Sequence, residues 1–187
     1  MMASTLHGVV KVAGDRLKLE LLRKIMNTEP NPRQVLVFVN DARRVNIVVE
    51  RLAEMNIIAA GLSGESDKNE RTDVSRAMRE GFVGCVVSTE LAARGIDAPL
   101  LTHVVNLDLP STASHYTHRS GRTGRGGRPG IVLSVAAGSK ESGVLHRFGR
   151  ELKIGVCDVD VRGGRLRVIG REGDWGGGDE DNSEGDV

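Results

Sequence analysis

Short, continuous apolar runs alternate along this chain with segments of helical periodicity, and that alternation constrains its fold more than any other feature. Val35-Leu36-Val37-Phe38-Val39, Ile57-Ile58-Ala59-Ala60, Cys85-Val86-Val87, His103-Val104-Val105-Asn106-Leu107 and Ile131-Val132-Leu133-Ser134-Val135 read as buried strands. A helix capped by Asp15, with Leu19, Leu22 and Met26 inward, precedes the first run and stops at Asn31-Pro32. Asn40 or Asp41 can cap the next helix, which turns Val45, Val48, Val49, Leu52 and Met55 inward. A third helix over about 67–80 carries Val74 and Met78 inward and is stopped by Gly81. A polar helical stretch lies near 111–118, and a last helix, about 139–152, packs Leu145, Phe148 and Leu152. Strand and helix repeated in this order predict an α/β three-layer fold, a parallel β-sheet flanked by helices on both faces. In such sheets the chemistry sits on loops at the carboxyl ends of the strands.

The 187 residues suffice for one domain that folds without staples. Cys85 and Cys157 stand far apart, which excludes a disulfide scaffold and a four-cysteine zinc site. His7, His103 and His146 show no metal-ligand spacing, so no metal site is expected. No apolar run approaches ~18 residues, so no membrane partner is expected. The first residues lack a charged flank and an apolar core, so no secretory signal is read and an intracellular protein is expected. The pattern divides the chain into an N-terminal extension (1–14), the α/β domain (15–153), a hairpin extension (154–173) and a tail (174–187). In the hairpin, 156–161 and 166–169 flank Gly163-Gly164. The tail is acidic and Gly-rich, buries almost nothing, and is expected to be disordered.

The formal net charge of +1 hides an asymmetry. Six acidic residues (Asp174, Asp179, Glu180, Asp181, Glu184, Asp186) and no Lys or Arg lie in 174–187, leaving 26 basic against 19 acidic residues, a net +7, over 1–173. A basic body with an acidic tail is compatible with nucleic-acid binding, and equally with an ordinary solvated surface. The three Phe (Phe38, Phe82, Phe148) fall in expected core segments, which argues against a base-stacking platform.

Two loops carry the chemistry. Ser88-Thr89-Glu90-Leu91-Ala92-Ala93-Arg94-Gly95-Ile96-Asp97 follows an apolar run with a hydroxyl, an Arg, a Gly and a carboxylate, groups suited to phosphate and ribose. Taken alone it is equally an ordinary strand-to-helix connection. The second loop places Arg119, Arg122, Arg125 and Arg128 at every third position among four glycines, with no acid between Asp108 and Glu141. Guanidinium groups interleaved with glycine suit bidentate contact with phosphate at close backbone approach.

His118-Arg119-Ser120-Gly121-Arg122-Thr123-Gly124-Arg125 matches the His-Arg-x-Gly-Arg-x-Gly-Arg pattern of DEAD-box RNA helicases. The 88–97 loop, Val35-Leu36-Val37-Phe38-Val39-Asn40 and Asn106-Leu107-Asp108-Leu109-Pro110 resemble further motifs of that family in the right order, over roughly 17–148. The resemblance implies a RecA-like fold and only one half of the enzyme. The family's other domain carries a Gly-x-x-x-x-Gly-Lys-Thr phosphate loop and an Asp-Glu-Ala-Asp sequence, and neither occurs here. It therefore implies the C-terminal domain of a longer protein, a monomer that works with an N-terminal RecA-like domain. ATP and Mg2+ would be held mainly by that domain, and the RNA partner would be gripped by its backbone.

By the same resemblance, Arg122 and Arg125 stand at arginine-finger positions and are the candidate catalytic residues. Asp97 and Gly95 stand at nucleotide positions, Asp97 toward the ribose. His118, Arg119 and Arg94 stand at interdomain positions, and Thr89, Arg71 and Gly64 at RNA-backbone positions. Three residues depart from the family pattern: Ser63 for His, Lys68 for Gln and Glu90 for Asp. Two other functions remain open at this point, a docking module for RNA or protein that has lost catalysis, and a related helicase acting on DNA. The retained Arg122, Arg125 and Asp97 argue against mere docking.

Overall fold

The computed structural model describes residues 5–29, 31–96 and 98–170. Eight strands, β1 (Thr5–Val12), β2 (Val35–Phe38), β3 (Ala59–Leu62), β4 (Cys85–Ser88), β5 (His103–Asn106), β6 (Gly130–Ala137), β7 (Val156–Arg162) and β8 (Arg165–Val168), form one sheet in the order β3-β4-β2-β5-β6-β1-β7-β8. Every neighbouring pair is parallel except β7 with β8. Five helices connect them: α1 (Lys18–Ile25), α2 (Ala42–Glu54), α3 (Lys68–Arg79), α4 (Ala113–Ser120) and α5 (Gly138–Leu152).

The two-residue period of β2 divides the core. Val35 and Val37 face Leu22 and Ile25 of α1 and Val45, Val48 and Leu52 of α2. Leu36 and Phe38 face the other way, toward Met78 of α3, Tyr116 of α4 and Leu145 and Phe148 of α5. Because both faces are covered, central strands are apolar throughout rather than alternating, and each fully buried Leu, Ile or Phe contributes about 1.5–3 kcal/mol. Caps set the helix starts. Asp41 Oδ1 accepts from Arg43 N at 2.8 Å, and Asp67 and Glu70 form a reciprocal capping box. Thr112 Oγ1 accepts from His115 N at 3.1 Å.

Several expectations change. The expected extension 1–14 supplies β1, which pairs with β6 from Thr5 through Val12 and also with β7. His7, Gly8 and Lys11 interrupt its apolar run, which hid a central strand. The expected hairpin 154–173 is present, but its first strand extends the main sheet through β1. Asp15 does not cap α1; it sits in a short 3-10 turn, and its carboxylate lies 2.8 Å from Lys18 Nζ. The inward face of α1 is Leu21, Leu22 and Ile25, with Leu19 and Met26 only flanking it. The third strand begins at Ala59 rather than Ile57, because Ile57 N still donates to Leu52 O and Asn56 turns the chain at φ 60°. Phe82 is 73% exposed, not core. The tail 174–187 lies outside the described residues.

Candidate functional site

Parallel strands deliver their following loops to one end of the sheet, where the loop after β4 meets α4; α4 then leads back to the arginine loop, which Thr123 and Gly124 hold beside the starts of β5 and β1. Glu90, two residues beyond β4, is the hub. His118 Nδ1 lies 3.3 Å from its carboxylate, His115 Nδ1 3.5 Å and Arg119 Nε 3.4 Å. The Glu side chain spans from the β4 loop to α4, a reach that its extra methylene over Asp supplies.

Arg119 is turned inward. Its side chain is 3% exposed, so it does not stand on the open face that an interdomain position would suggest. Nη1 donates to Asp108 O at 3.0 Å and Nη2 to Asn40 Oδ1 at 2.8 Å, while the group lies 5.2 Å from the Phe38 ring centroid. Burial pulls its pKa below the ordinary arginine value, and Glu90 and Asp108 oppose that fall. A planar fork with several donors can serve three loops at once, which an ammonium cannot.

Arg122 is half-buried, and Arg125 and Arg94 are exposed. These three line one hollow with Glu90, Thr117 and His118. Burial first, and then the charges of Arg125 and Arg94, push the Arg122 pKa down, with Glu90 opposing. Neither Arg122 nor Arg125 is ion-paired to a described carboxylate; Arg125 Nε donates to Gly121 O at 2.7 Å. Three guanidiniums share the hollow with a single described carboxylate, Glu90, which Arg119 already engages, and the excess positive charge suits an anion.

The loop holding these arginines is fixed by the motif glycine Gly124 and by two residues outside the fixed pattern, Thr123 and Gly130. Thr123 Oγ1 reaches Leu101 O at 2.9 Å and Thr102 O at 3.0 Å. Gly124, at φ +68°, packs its α-carbon where a Cβ would meet Thr5 Oγ1 at 2.5 Å. A Cβ on Gly130 would meet Gly124 N at 2.6 Å. Thr123 fills a variable position of the arginine pattern, so only its partners on the 101–102 segment reveal its role. Asn40, an alternative cap by sequence, instead donates Nδ2 to Leu109 O at 3.0 Å and accepts from Arg119.

Gly64 and Thr89 lie on the loops that follow β3 and β4, and Arg71 lies in the first turn of α3 between those strands. Thr89 N donates to Leu62 O, Gly64 lies exposed two residues beyond β3, and Arg71 Nε donates to Ser66 O at 3.2 Å. Gly95 is exposed at φ +82°, a conformation that favours glycine. Asp97 lies outside the described residues. No group of three or more His, Cys, Asp or Glu that could hold a metal ion occurs among the described residues. No described helix is long and apolar enough to cross a membrane.

Comparison with known proteins shows the family and the fold. Residues 17–127 match the model of the helicase conserved C-terminal domain. The DEAD-box ATP-dependent RNA helicase CshC of Bacillus cereus is 40% identical over 139 residues, which is 74% of this chain and 35% of that protein. The E. coli DEAD-box protein SrmB, solved bound to the regulator of ribonuclease activity A, superposes with a TM-score of 0.76 at 30% identity, covering 83% of this chain and 90% of that one. S. cerevisiae Dbp5, solved bound to RNA and ADP BeF3, gives 0.74 at 25% identity over 84% of this chain and 42% of that one. The chain thus spans about a third of the length of the curated helicase it matches. With the α/β sheet, the arginine loop and the family match in agreement, the chain belongs to the helicase conserved C-terminal domain family, in the RecA-like form carried by DEAD-box RNA helicases.

Proposed function

We propose that this chain is the C-terminal lobe of an ATP-dependent RNA helicase, and that its arginines complete a nucleotide pocket whose other wall is an N-terminal RecA-like domain of the same protein. The observation that carries this is the crowding of Arg94, Arg122 and Arg125 on one open hollow without ion pairs to described carboxylates. ATP and Mg2+ are held by the opposite domain. Arg122 and Arg125 donate to the γ-phosphate as charge builds on it, and a guanidinium keeps its proton throughout. Asp97 takes the ribose, with Gly95 letting the backbone approach. His118 and Arg94 meet the partner domain, while Arg119 acts from within as a positioning residue. Gly64, Arg71 and Thr89 grip the RNA backbone, so binding is largely independent of sequence. Closure of the two lobes on RNA and nucleotide strains a short duplex apart. The working unit is an intracellular monomer.

Finger residues are worth ~10³–10⁵ in rate, or about 4–7 kcal/mol of barrier. The test is RNA-stimulated ATP hydrolysis by the two-domain protein, with Arg122→Ala and Arg125→Ala. Turnover should fall by orders of magnitude with folding intact, and the 187-residue chain alone should hydrolyse ATP negligibly. A near-normal rate in Arg122→Ala, or robust hydrolysis by the lone chain, rejects the reading. A docking role has one observation in its favour, the capture of a protein partner by SrmB. Normal turnover with loss of a bound protein would establish it.

A further inference from the structure

Beside the finger hollow lies a second cleft, about 480 Å³ in volume, that shares Arg122 and Arg125 with it but is otherwise lined by residues given no role in the nucleotide chemistry. Its floor is apolar, built from Leu36, Met78, Pro99 and Leu100 among others. Its rim carries Arg33, Arg122, Arg125 and Arg128, and no described Asp or Glu lines it. None of these four arginines is ion-paired to a described carboxylate. An apolar floor beneath four guanidiniums that no described carboxylate pairs suits an acidic segment that carries an apolar side chain.

The chain itself contains such a segment. Residues 174–186 hold six carboxylates, no Lys or Arg, and Trp175, the one tryptophan of the protein. We propose that this acidic segment docks onto the arginine-rimmed cleft of its own domain and masks Arg122 and Arg125. The topology delivers it there. Val156 of β7 aligns with His7 of β1, and Thr5 of β1 aligns with Gly130 of β6, so these strand starts share one end of the sheet. Strand β8 runs back to that end, where Val168 pairs with Val159 and Ile169 N donates to Asp158 O at 2.9 Å. Arg128 and Pro129 enter β6 at the same end, three strands from β8. At ~4.8 Å per strand that is a lateral step of about 14 Å. The nine residues from Gly170 to Asp179 extend to roughly 30 Å, so the acidic cluster reaches the rim. A second basic hollow, around Arg23, Lys24 and Arg162, contains Asp160 and lies at the hairpin turn, the opposite end of β8. Distance and charge both favour the first.

Tethering places the segment near the cleft at an effective concentration of order mM, so weak docking suffices. Exposed charge pairing is screened by salt, so the contact weakens as salt rises. Docking itself stands apart from the nucleotide reading; only the consequence, that the tail competes for Arg122 and Arg125, rests on it.

The experiment compares the full 187-residue chain with a variant in which all six tail acids are neutralised (Asp→Asn, Glu→Gln). Backbone amide exchange over 98–102 and 121–129 should accelerate several-fold in the variant at low salt and become equal in the two proteins at high salt. Trp175 emission in the native chain should shift to longer wavelength at high salt and in Arg33→Glu/Arg128→Glu. Equal exchange at low salt overturns the proposal, as does protection appearing instead over 23–27 and 160–164. Emission that depends on protein concentration assigns the contact to a second copy and overturns docking in cis. Neither readout involves ATP, so loss of the finger role would leave this result standing, and the reverse.

Discussion

Arg119 Nη2 donates to Asn40 Oδ1 at 2.8 Å, joining residues that are 79 apart in the chain. The same guanidinium reaches Asp108 O and Glu90, so one buried cation ties the loops after β2, β4 and β5 to α4. The finger loop begins one residue after α4 ends, and its placement follows from this tie.

Removing Arg119 leaves Glu90 with only His115 and His118 beside it, and takes a donor from Asn40 Oδ1 and from the Asp108 carbonyl. Breaking a buried ion pair costs about 3–5 kcal/mol, and Glu90 keeps some solvent, so Arg119→Ala should lose about 3 kcal/mol in urea unfolding. Arg119→Lys should recover less than half, because an ammonium cannot span three loops. Full recovery by Lys would show that charge alone matters here.

Gly130→Ala and Gly126→Ala separate packing from backbone strain. A Cβ at 130 meets backbone atoms of Gly124 at 2.6 and 2.9 Å, so the finger loop must move; overpacking costs about 1–3 kcal/mol. At 126 the space is open but φ is +62°, and a left-handed residue costs about 1–2 kcal/mol. Calorimetry should show both variants destabilised, while anion binding to the arginine hollow should suffer only in Gly130→Ala.

His103 is 1% exposed, and burial lowers its pKa from 6.5 to about 4. Between these values the unfolded chain binds a proton that the folded protein refuses, so stability falls as pH drops from about 6.5 to about 4. The loss from pH 7 to pH 5 should be about 2 kcal/mol. Denaturant midpoints at the two pH values, with His103→Gln as the non-titrating comparison, measure it. An equal drop in the variant would place the effect elsewhere.

If Gly64, Arg71 and Thr89 mark an RNA-backbone track with about three neutralised phosphates, log K should fall with log salt at a slope near −2 for single strands. Arg71→Ala in the two-domain protein should reduce that slope by about 0.7, uniformly across RNA sequences. An unchanged slope would remove Arg71 from the track.

Much of this was legible along the chain, because the relevant interactions are local. Val35-Leu36-Val37-Phe38 is apolar at every position because both faces of β2 are covered, and that pattern needs no partner to be recognised. The capping box of Asp67 and Glu70 lies within four residues. The arginine spacing 119-122-125-128 is likewise local, and the cluster of Arg94, Arg122 and Arg125 in one hollow agrees with it. Strand β1 was not legible, since Gly8 is required by close packing against Val159 and Leu133, contacts more than a hundred residues away. Phe82 was misplaced because apolar character alone does not say which side of a turn faces solvent.

By itself, then, the sequence determined the layer architecture, the alternation of strand and helix from β2 to α5 and the stretch that carries the arginines, because periodicity and capping act over a few residues. Only the tertiary structure decided which arginines are available. Arg119 and Arg122 stand three apart on one motif, yet Asn40, Asp108 and Glu90 converge on the first and leave the second half-buried and without an ion pair to a described carboxylate. Burial and pairing depend on atoms brought together from distant segments, and a linear pattern of residue types does not contain them.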